Sequence, residues 1–378
     1  MTSAKRVAGI LLTAAAFAAT TAGTAQAAGD WRQDPAPVAS GNVLGMTQVD
    51  PHTTWAAGFQ LTVNGQSTTL NPMLLARDDR TGAGWKRVVT PADGVDSRIN
   101  ALSADGARNV WLVGDNASAD HGSILTEHWD GKSWRVVGAP VPDGTLSAGF
   151  LGVATVGARD AWAVGWTQRQ RGDLFYDTGI VEHWDGKAWQ QVKLPAGIPD
   201  ASLMSITATG PHDIWAGGVL ADGTDQPVLL HYDGKTWTRA TVPDTGLYGE
   251  FNTVVAAAPN DVWAAGRTLV DENDRGHPLV AHYDGHSWKT VPAPGTGVIF
   301  AAAPTPGGVA VVGYDKNTGQ PYGERLDGGA WQSLNLPAIG IDSTPYSLNV
   351  DSHTITVGGA YDADEANPLR PLLLSATR

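Results

Sequence analysis

The feature that most constrains this chain is a repeated pair of short signatures. The first is a hexapeptide centred on tryptophan: TTWAAG at 53–58, NVWLVG at 109–114, DAWAVG at 160–165, DIWAGG at 213–218 and DVWAAG at 261–266. A polar stretch of variable length follows each copy, and then the second signature. It reads EHWDGKSW ending at Trp134, EHWDGKAW at Trp189, LHYDGKTW at Trp237 and AHYDGHSW at Trp288, with weaker copies at Trp85 and Trp331. Copies of the first signature lie about 50 residues apart, a period at which one supersecondary unit recurs and buries its apolar face against its neighbours. The 46 Gly, 23 Pro and 15 Trp fit such an array, with many tight turns and an aromatic recurring between them.

The unit at 202–243 shows what one repeat builds. SLMSITATG at 202–210 alternates as a strand does, and a Pro-His-Asp turn leads into IWAGG at 214–218. PVLLHY at 227–232 is a third strand. Asp233-Gly234 reads as a type I′ hairpin turn, whose two central residues both need positive φ. TWTRATVP at 236–243 is a fourth strand, ended by Pro243 at an edge where a missing N–H does little harm. Four antiparallel strands per unit is the composition of one β-propeller blade. Further copies, GVAVVG at 308–313 and TITVGG at 354–359, bring the count to seven blades. The seventh runs out after PLLLSATR at 371–378, its third strand. Its fourth is expected at the other end, where GDWRQDPAP at 29–37 matches GKSWRVVGAP at 131–140 and Trp31 takes the place of Trp134. The expected fold class is therefore all-β, a seven-bladed β-propeller whose N-terminal strand closes the last blade, with 28–378 as a single domain.

Ahead of that domain, 1–27 read as a secretory signal peptide. Lys5 and Arg6 precede an apolar stretch at 7–19, and Ala25-Gln26-Ala27 is an A-x-A cleavage site. The apolar stretch is shorter than the ~20 residues a spanning helix needs, so a secreted protein with no membrane span is expected. The chain has no cysteine, which leaves packing and ring closure to stabilise it. A net charge of −13 argues against nucleic acid and anionic membrane as partners.

The pairing of a VWAVG strand with an HWDGKxW hairpin resembles bacterial secreted β-propellers of the kelch and tectonin-like kind, over nearly the whole of 28–378. The resemblance implies the fold; it implies no one activity, since propellers host enzymes, lectins and scaffolds. A sialidase Asp-box separates its Asp from its Gly by one residue, whereas Asp185-Gly186 and its equivalents are adjacent, so that activity is not implied.

Fourteen of the fifteen Trp fall at repeated positions, as inter-blade packing needs. Trp166 is the exception: it follows Gly165 at the mouth of the loop between second and third strands, where Phe59 and Tyr314 hold the matching places. Rings there would stack on a sugar, or simply pack the rim. His128, His183, His231 and His282 recur at one phase, which suggests a shared hydrogen bond inside each blade and not four catalytic bases. No HExxH, GxSxG or Walker motif is present.

The loops between second and third strands vary while their flanks stay alike, and variable loops on a constant scaffold are where binding is usually found. They carry Asp173, Asp177, Asp222, Asp225, Asp271, Asp274 and Asp362. With Phe59, Trp166 and Tyr314 these are the candidate ligand-binding residues, since carboxylates and aromatic faces suit polyol hydroxyls. The competing reading is that they only solvate that face. Ca²⁺ also suits such carboxylates, but DENDRG at 271–276 lacks the spacing of an EF-hand, and no cofactor is expected. The reading ranked first is a monomeric, non-catalytic, lectin-like module for carbohydrate or another cell-surface component. A protein-assembly scaffold with a protein partner and an extracellular glycan-active hydrolase or lyase are the alternatives.

Overall fold

The computed structural model describes residues 31–64, 67–116, 123–195, 201–220, 225–243, 245–246, 248–269, 276–364 and 369–378, so the expected signal peptide lies outside the described residues. The chain is all-β: seven four-stranded antiparallel sheets form the blades of a β-propeller. Among the described residues there is no α-helix, and a 3-10 turn at Asp79–Thr81 interrupts the strands. The third blade is typical, with strands Ser147–Gly157, Asp160–Arg171, Leu174–Trp184 and Trp189–Gln191 from the axis outward.

The last blade is completed from the other end of the chain. Strands Asp342–Val350, Thr354–Asp362 and Arg370–Thr377 are joined by Arg32–Gln33, with Arg32 opposite Ser375 and Gln33 opposite Leu374. The paired segment is shorter than the sequence match at 29–37 suggests, as are the three-residue fourth strands of other blades, such as Trp134–Val136 and Trp189–Gln191. The closure is extended instead by single bonds, from the Asp34 N–H to the Leu373 carbonyl at 2.8 Å and from the Gly41 N–H to the Leu369 carbonyl at 2.7 Å.

The core lies between blades. Trp55 of the first blade packs on Trp129 and Trp134 of the second at 5.9 and 5.5 Å. Trp111 meets Trp184 and Trp189 in the same way, Trp162 meets Tyr232 and Trp237, and Trp215 meets Tyr283 and Trp288. The seam between last and first blades departs from this pattern. Thr356 stands where the second-strand Trp would be and Arg77 where the hairpin aromatic would be; only Trp85 is kept. The buried Arg77 guanidinium lies over Trp85 at 4.9 Å and donates to Asp34 Oδ2 and Thr356 Oγ1, both at 2.8 Å.

The four repeated histidines hold the blades as their common phase suggests. Each Nε2 meets a side-chain oxygen at the start of the second strand: Asn109 for His128, Asp160 for His183, Asp213 for His231 and Asp261 for His282, at 2.7–2.9 Å. Each ring also lies against its own blade's second-strand Trp, with centroids 4.0–4.5 Å apart. The Asp-Gly hairpins differ from a two-residue type I′ turn. The loop spans 130–133 between paired Trp129 and Trp134, and only Gly131 has positive φ. Asp130 Oδ1 accepts the Lys132 and Ser133 N–H groups, so a side-chain carboxylate closes the turn that two left-handed residues would otherwise make.

The glycine that ends each first signature has a physical reason. Every inner strand carries a bulge beside it, at Leu44, Asn100, Leu151, Met204, Asn252, Phe300 and Tyr346. The bulge drives an inner-strand carbonyl against the second strand, where a Cβ on Gly58, Gly114, Gly165, Gly218, Gly266, Gly313 or Gly359 would sit 1.9–2.1 Å from that oxygen. The residues just beyond this point lie on the strand ends that lead into the variable loops.

Glu127, Glu182 and Glu324 share a register on the third strands, opposite Leu112, Ala163 and Val311. Glu127 is fully buried and accepts the Ala92 N–H at 2.7 Å; burial pushes its carboxyl up to about 7. Glu182 is also fully buried, neither of its oxygens has a hydrogen-bond partner, and burial pushes it up to about 8.

Candidate functional site

Because strands alternate in direction, the loops between second and third strands share one end of the ring with the blade-to-blade connections. At that end each bulge leaves a cross-strand pair at the channel mouth, and the seven pairs differ. They are Asn42 with Phe59, Arg98 with Asp115, Gly149 with Trp166, Ser202 with Val219, Glu250 with Arg267, Val298 with Tyr314, and Thr344 with Ala360. A scaffold repeated seven times thus presents an unrepeated ring of side chains, which suits one site at the axis over seven copies of a small one.

Two of these pairs are ionic and of opposite sense. In the second blade Arg98 Nε lies 2.8 Å from Asp115 Oδ1, and Asn100 donates to the same oxygen at 2.8 Å and to the Phe150 carbonyl of the next blade at 2.9 Å. In the fifth blade the acid is on the inner strand: Arg267 Nε lies 2.8 Å from Glu250 Oε1, and Asn252 donates to the Ile299 carbonyl at 2.9 Å. Tyr248 donates its hydroxyl to Glu250, accepts from Arg267 Nη2 at 3.2 Å and lies under that guanidinium at 5.1 Å. Burial, then the Glu250 charge, raises the Tyr248 hydroxyl well above its ordinary range, so it is held protonated. Burial and the Arg267 charge push the neighbouring Lys316 ammonium down.

The candidate residues fall into three groups. Phe59, Trp166 and Tyr314 stand at one register of the mouth, each half-buried, in the first, third and sixth blades. Asp173 is exposed at the turn of the long third-blade hairpin, and Asp177 lies lower on that hairpin opposite Gln168, its carboxyl raised by burial. Asp225 is a turn residue: it has a φ of 46°, and its carbonyl accepts the Gly249 N–H at 3.0 Å. Asp222, Asp271 and Asp274 lie outside the described residues.

Asp362 belongs to a pocket where the last blade meets the first. The pocket is small, with a cavity volume of about 20 Å³, and is lined by Asn42, Asp342, Thr344, Tyr346, Tyr361 and Asp362 among others. Asp342 and Asp362 face each other directly across paired strands. Burial, then the Asp362 charge, raises the Asp342 carboxyl, and burial raises Asp362. Tyr346 packs on Phe300 of the preceding blade at 4.9 Å, and the Asp342 charge also raises the Tyr314 hydroxyl after burial does. Tyr314 and Asp362, from different blades, are therefore neighbours of one acid. Among the described residues no group of three or more His, Asp or Glu is placed to hold a metal ion.

Asn42, Asp342 and Tyr346 sit on inner strands, outside the variable loops that mark candidate positions in the sequence. A positional signal exists for Asn42 alone, which lies 16 residues before the repeated Gly58, as Arg98 does before Gly114.

No protein-family model matches this sequence, and no curated protein matches it significantly. Solved structures do resemble it. YCF48 bound to a D1 peptide is 18% identical with a TM-score of 0.57, covering 94% of this chain and 99% of its own. YCF48 from Cyanidioschyzon merolae is 15% identical with a TM-score of 0.58, over 92% and 98% of the two chains. A polysaccharide lyase, the PL25 ulvan lyase, is 12% identical with a TM-score of 0.54, over 90% and 95%. At these identities the likeness shows the seven-bladed propeller fold, shared by proteins seen with a peptide and with an oligosaccharide.

Proposed function

We propose that the protein is a secreted, non-catalytic binding module that takes a carbohydrate across the mouth of the loop face. The observation that carries this reading is the unrepeated ring: seven blades alike in strand order and in the place of the inner-strand bulge present different groups at one register, three of them half-buried aromatics. Phe59, Trp166 and Tyr314 offer ring faces to the apolar side of a sugar, and the acids and amides between them match its hydroxyls. The ionisable groups of the ring already satisfy one another. Arg98 holds Asp115, Arg267 holds Glu250, and a Tyr248 raised above its ordinary range is a poor general base, which favours binding over turnover. The kelch and tectonin-like affinity and the signal peptide at 1–27 are parts of the same proposal.

Glycan-array and cell-wall retention assays test it. The Phe59→Ala, Trp166→Ala, Tyr314→Ala triple variant should lose retention with its melting temperature unchanged. Retention that survives the triple variant refutes the site, and steady release of reducing or unsaturated sugars replaces the module with an enzyme.

A protein-binding scaffold is the second reading, favoured by one feature. The tip of the third-blade hairpin exposes Leu174 and Phe175 to 66% and 56%, beside an Arg171 that lies 5.2 Å from the Tyr176 ring. Loss of a protein partner in Leu174→Ser, Phe175→Ser, with glycan retention absent in the parent, would establish it.

A further inference from the structure

Glu127 and Glu182 hold the same place in neighbouring blades and are met differently. Each stands opposite a residue packed toward the preceding blade, Leu112 in the cluster of Trp55 and Ala163 in the cluster of Trp111, so each carboxyl faces the seam behind it. Glu127 Oε1 accepts the Ala92 N–H at 2.7 Å from the linker that crosses its seam. The next linker repeats the turn one blade on. The Val95 N–H donates to the Ala92 carbonyl at 3.0 Å and the Thr145 N–H to the Pro142 carbonyl at 3.2 Å, and Gly94 and Gly144 have φ of 85° and 75°. Pro142 therefore stands where Ala92 does, and a proline has no N–H to give. Thr126, buried on the facing sheet, donates its hydroxyl to the Val137 carbonyl instead. Glu182 is left fully buried with neither oxygen partnered.

We infer that the seam between the second and third blades is a latch released by alkali: the proton on Glu182 keeps the third blade seated, and its loss opens this seam ahead of the rest of the ring. A neutral carboxyl here leaves hydrogen bonds unmade, whereas an ionised one is a bare charge among Trp111, Ile180, Trp184 and Trp189, which the fold relieves by admitting water. The charged groups that face the seam are engaged elsewhere. On the second blade Arg135 meets His128 Nδ1 at 3.3 Å, and Asp115 is paired with Arg98. Asp143 of the linker is exposed. On the third blade Arg169 and Arg171 share the face of Ala163 but stand six and eight residues farther along the strand, about 20 Å or more away. No cation is placed to answer the charge, and burial alone raises the Glu182 carboxyl to about 8.

The other seams are built without this weakness. Leu75, Leu230, Ala281 and Leu374 fill the equivalent place in the first, fourth, fifth and seventh blades, and Glu324 of the sixth is half-buried. The closing seam is held by Arg77, Asp34 and Thr356. The direction of the pH effect follows from the two states. Glu182 titrates near 4.5 where water reaches it and at about 8 when seated, so the latch holds fully below about 4.5. Between those values each pH unit favours the open seam about tenfold, and above about 8 the effect levels off. Trp166, Leu174 and Phe175 all belong to the third blade, so the latch acts on the loop face whichever ligand that face takes.

Hydrogen exchange of the full chain, followed by mass spectrometry from pH 5 to 9 and corrected for the intrinsic rate at each pH, tests the inference. Protection of 150–154, 161–165 and 180–182 should fall about tenfold per pH unit up to about 8 and then level off. At pH 8 these segments should be at least tenfold less protected than 370–377 at the ring closure. Glu182→Gln cannot ionise, so its protection there should stay level across the range. Pro142→Ala offers the N–H that Ala92 gives to Glu127, so its fall should level off at a lower pH than the parent's. Equal protection in every blade at pH 8 would make the event global unfolding and overturn the latch, as would a fall in Glu182→Gln as steep as the parent's. Should Glu182→Gln fail to fold, Pro142→Ala decides, and a profile identical to the parent's refutes the inference.

Discussion

Glu182 makes the stability of this ring depend on pH, in the direction opposite to that of a paired surface carboxylate. Its carboxyl is fully buried without a partner, and burial moves it from 4.5 to about 8. A carboxyl raised on folding is held protonated by the folded state, so its contribution is fully present below about 4.5 and is lost as pH rises through about 8. At about 1.4 kcal/mol per pH unit, the gap between those values amounts to about 5 kcal/mol in all, of which about 3 is gone by neutrality. Glu182→Gln keeps the shape of the neutral acid and cannot ionise. Urea unfolding from acid to mildly alkaline pH should therefore show parent and variant nearly equal below 5, with the variant more stable by several kcal/mol at 8. Glu127, raised to about 7, leaves a smaller slope in the variant, which Glu127→Gln should flatten further. Parallel pH profiles for parent and Glu182→Gln would show that the carboxyl reaches water in solution, and the argument from burial would fall.

Three further outcomes follow from the packing. Trp215→Ala should cost about 3–5 kcal/mol in chemical unfolding, since it removes the ring that meets Tyr283 and Trp288, whereas half-buried Trp166→Ala should melt close to the parent; equal losses would refute the division. Asp34→Ala should cost about 3–5 kcal/mol by leaving the buried Arg77 without its carboxylate, and Asp34→Ala, Arg77→Met should recover much of that; a double variant no better than the single would refute the account. Gly218→Ala should destabilise by about 1–3 kcal/mol because its Cβ would meet the Ser202 carbonyl at 1.9 Å, and an unchanged melting temperature would mean that the bulge relaxes.

The blade count, the closing strand and the place of the histidines were legible because each rests on local chemistry repeated at a fixed period. Of the candidate site, the aromatic register was legible. Phe59, Trp166 and Tyr314 share a register that the repeated glycine marks in one dimension, and the structure keeps them at one level of the mouth. Asn42 and Asp342 were not, since they acquire meaning only when the first and last blades are brought together across almost the whole chain. A bulge also puts every inner strand one residue out of simple alternation, so side chains such as Tyr346 cannot be assigned a direction by period alone. Glu182 was hidden in plain view: the EHW triplet announces its histidine, while the enclosure of the residue before it depends on the packing of the neighbouring blades.

Similar wedges pose a counting problem for a ring, because most aromatic interfaces here could accept the wrong neighbour, including a wedge from another molecule. The junction of Arg77, Asp34 and Thr356 is keyed differently from those interfaces. A wrong wedge docked there would strand a guanidinium beside Trp85 with no carboxylate within reach. The key also fixes when the ring can lock. Arg77 and Thr356 stand 279 positions apart, so the lock can form only after the last blade has been made, and premature closure finds no match.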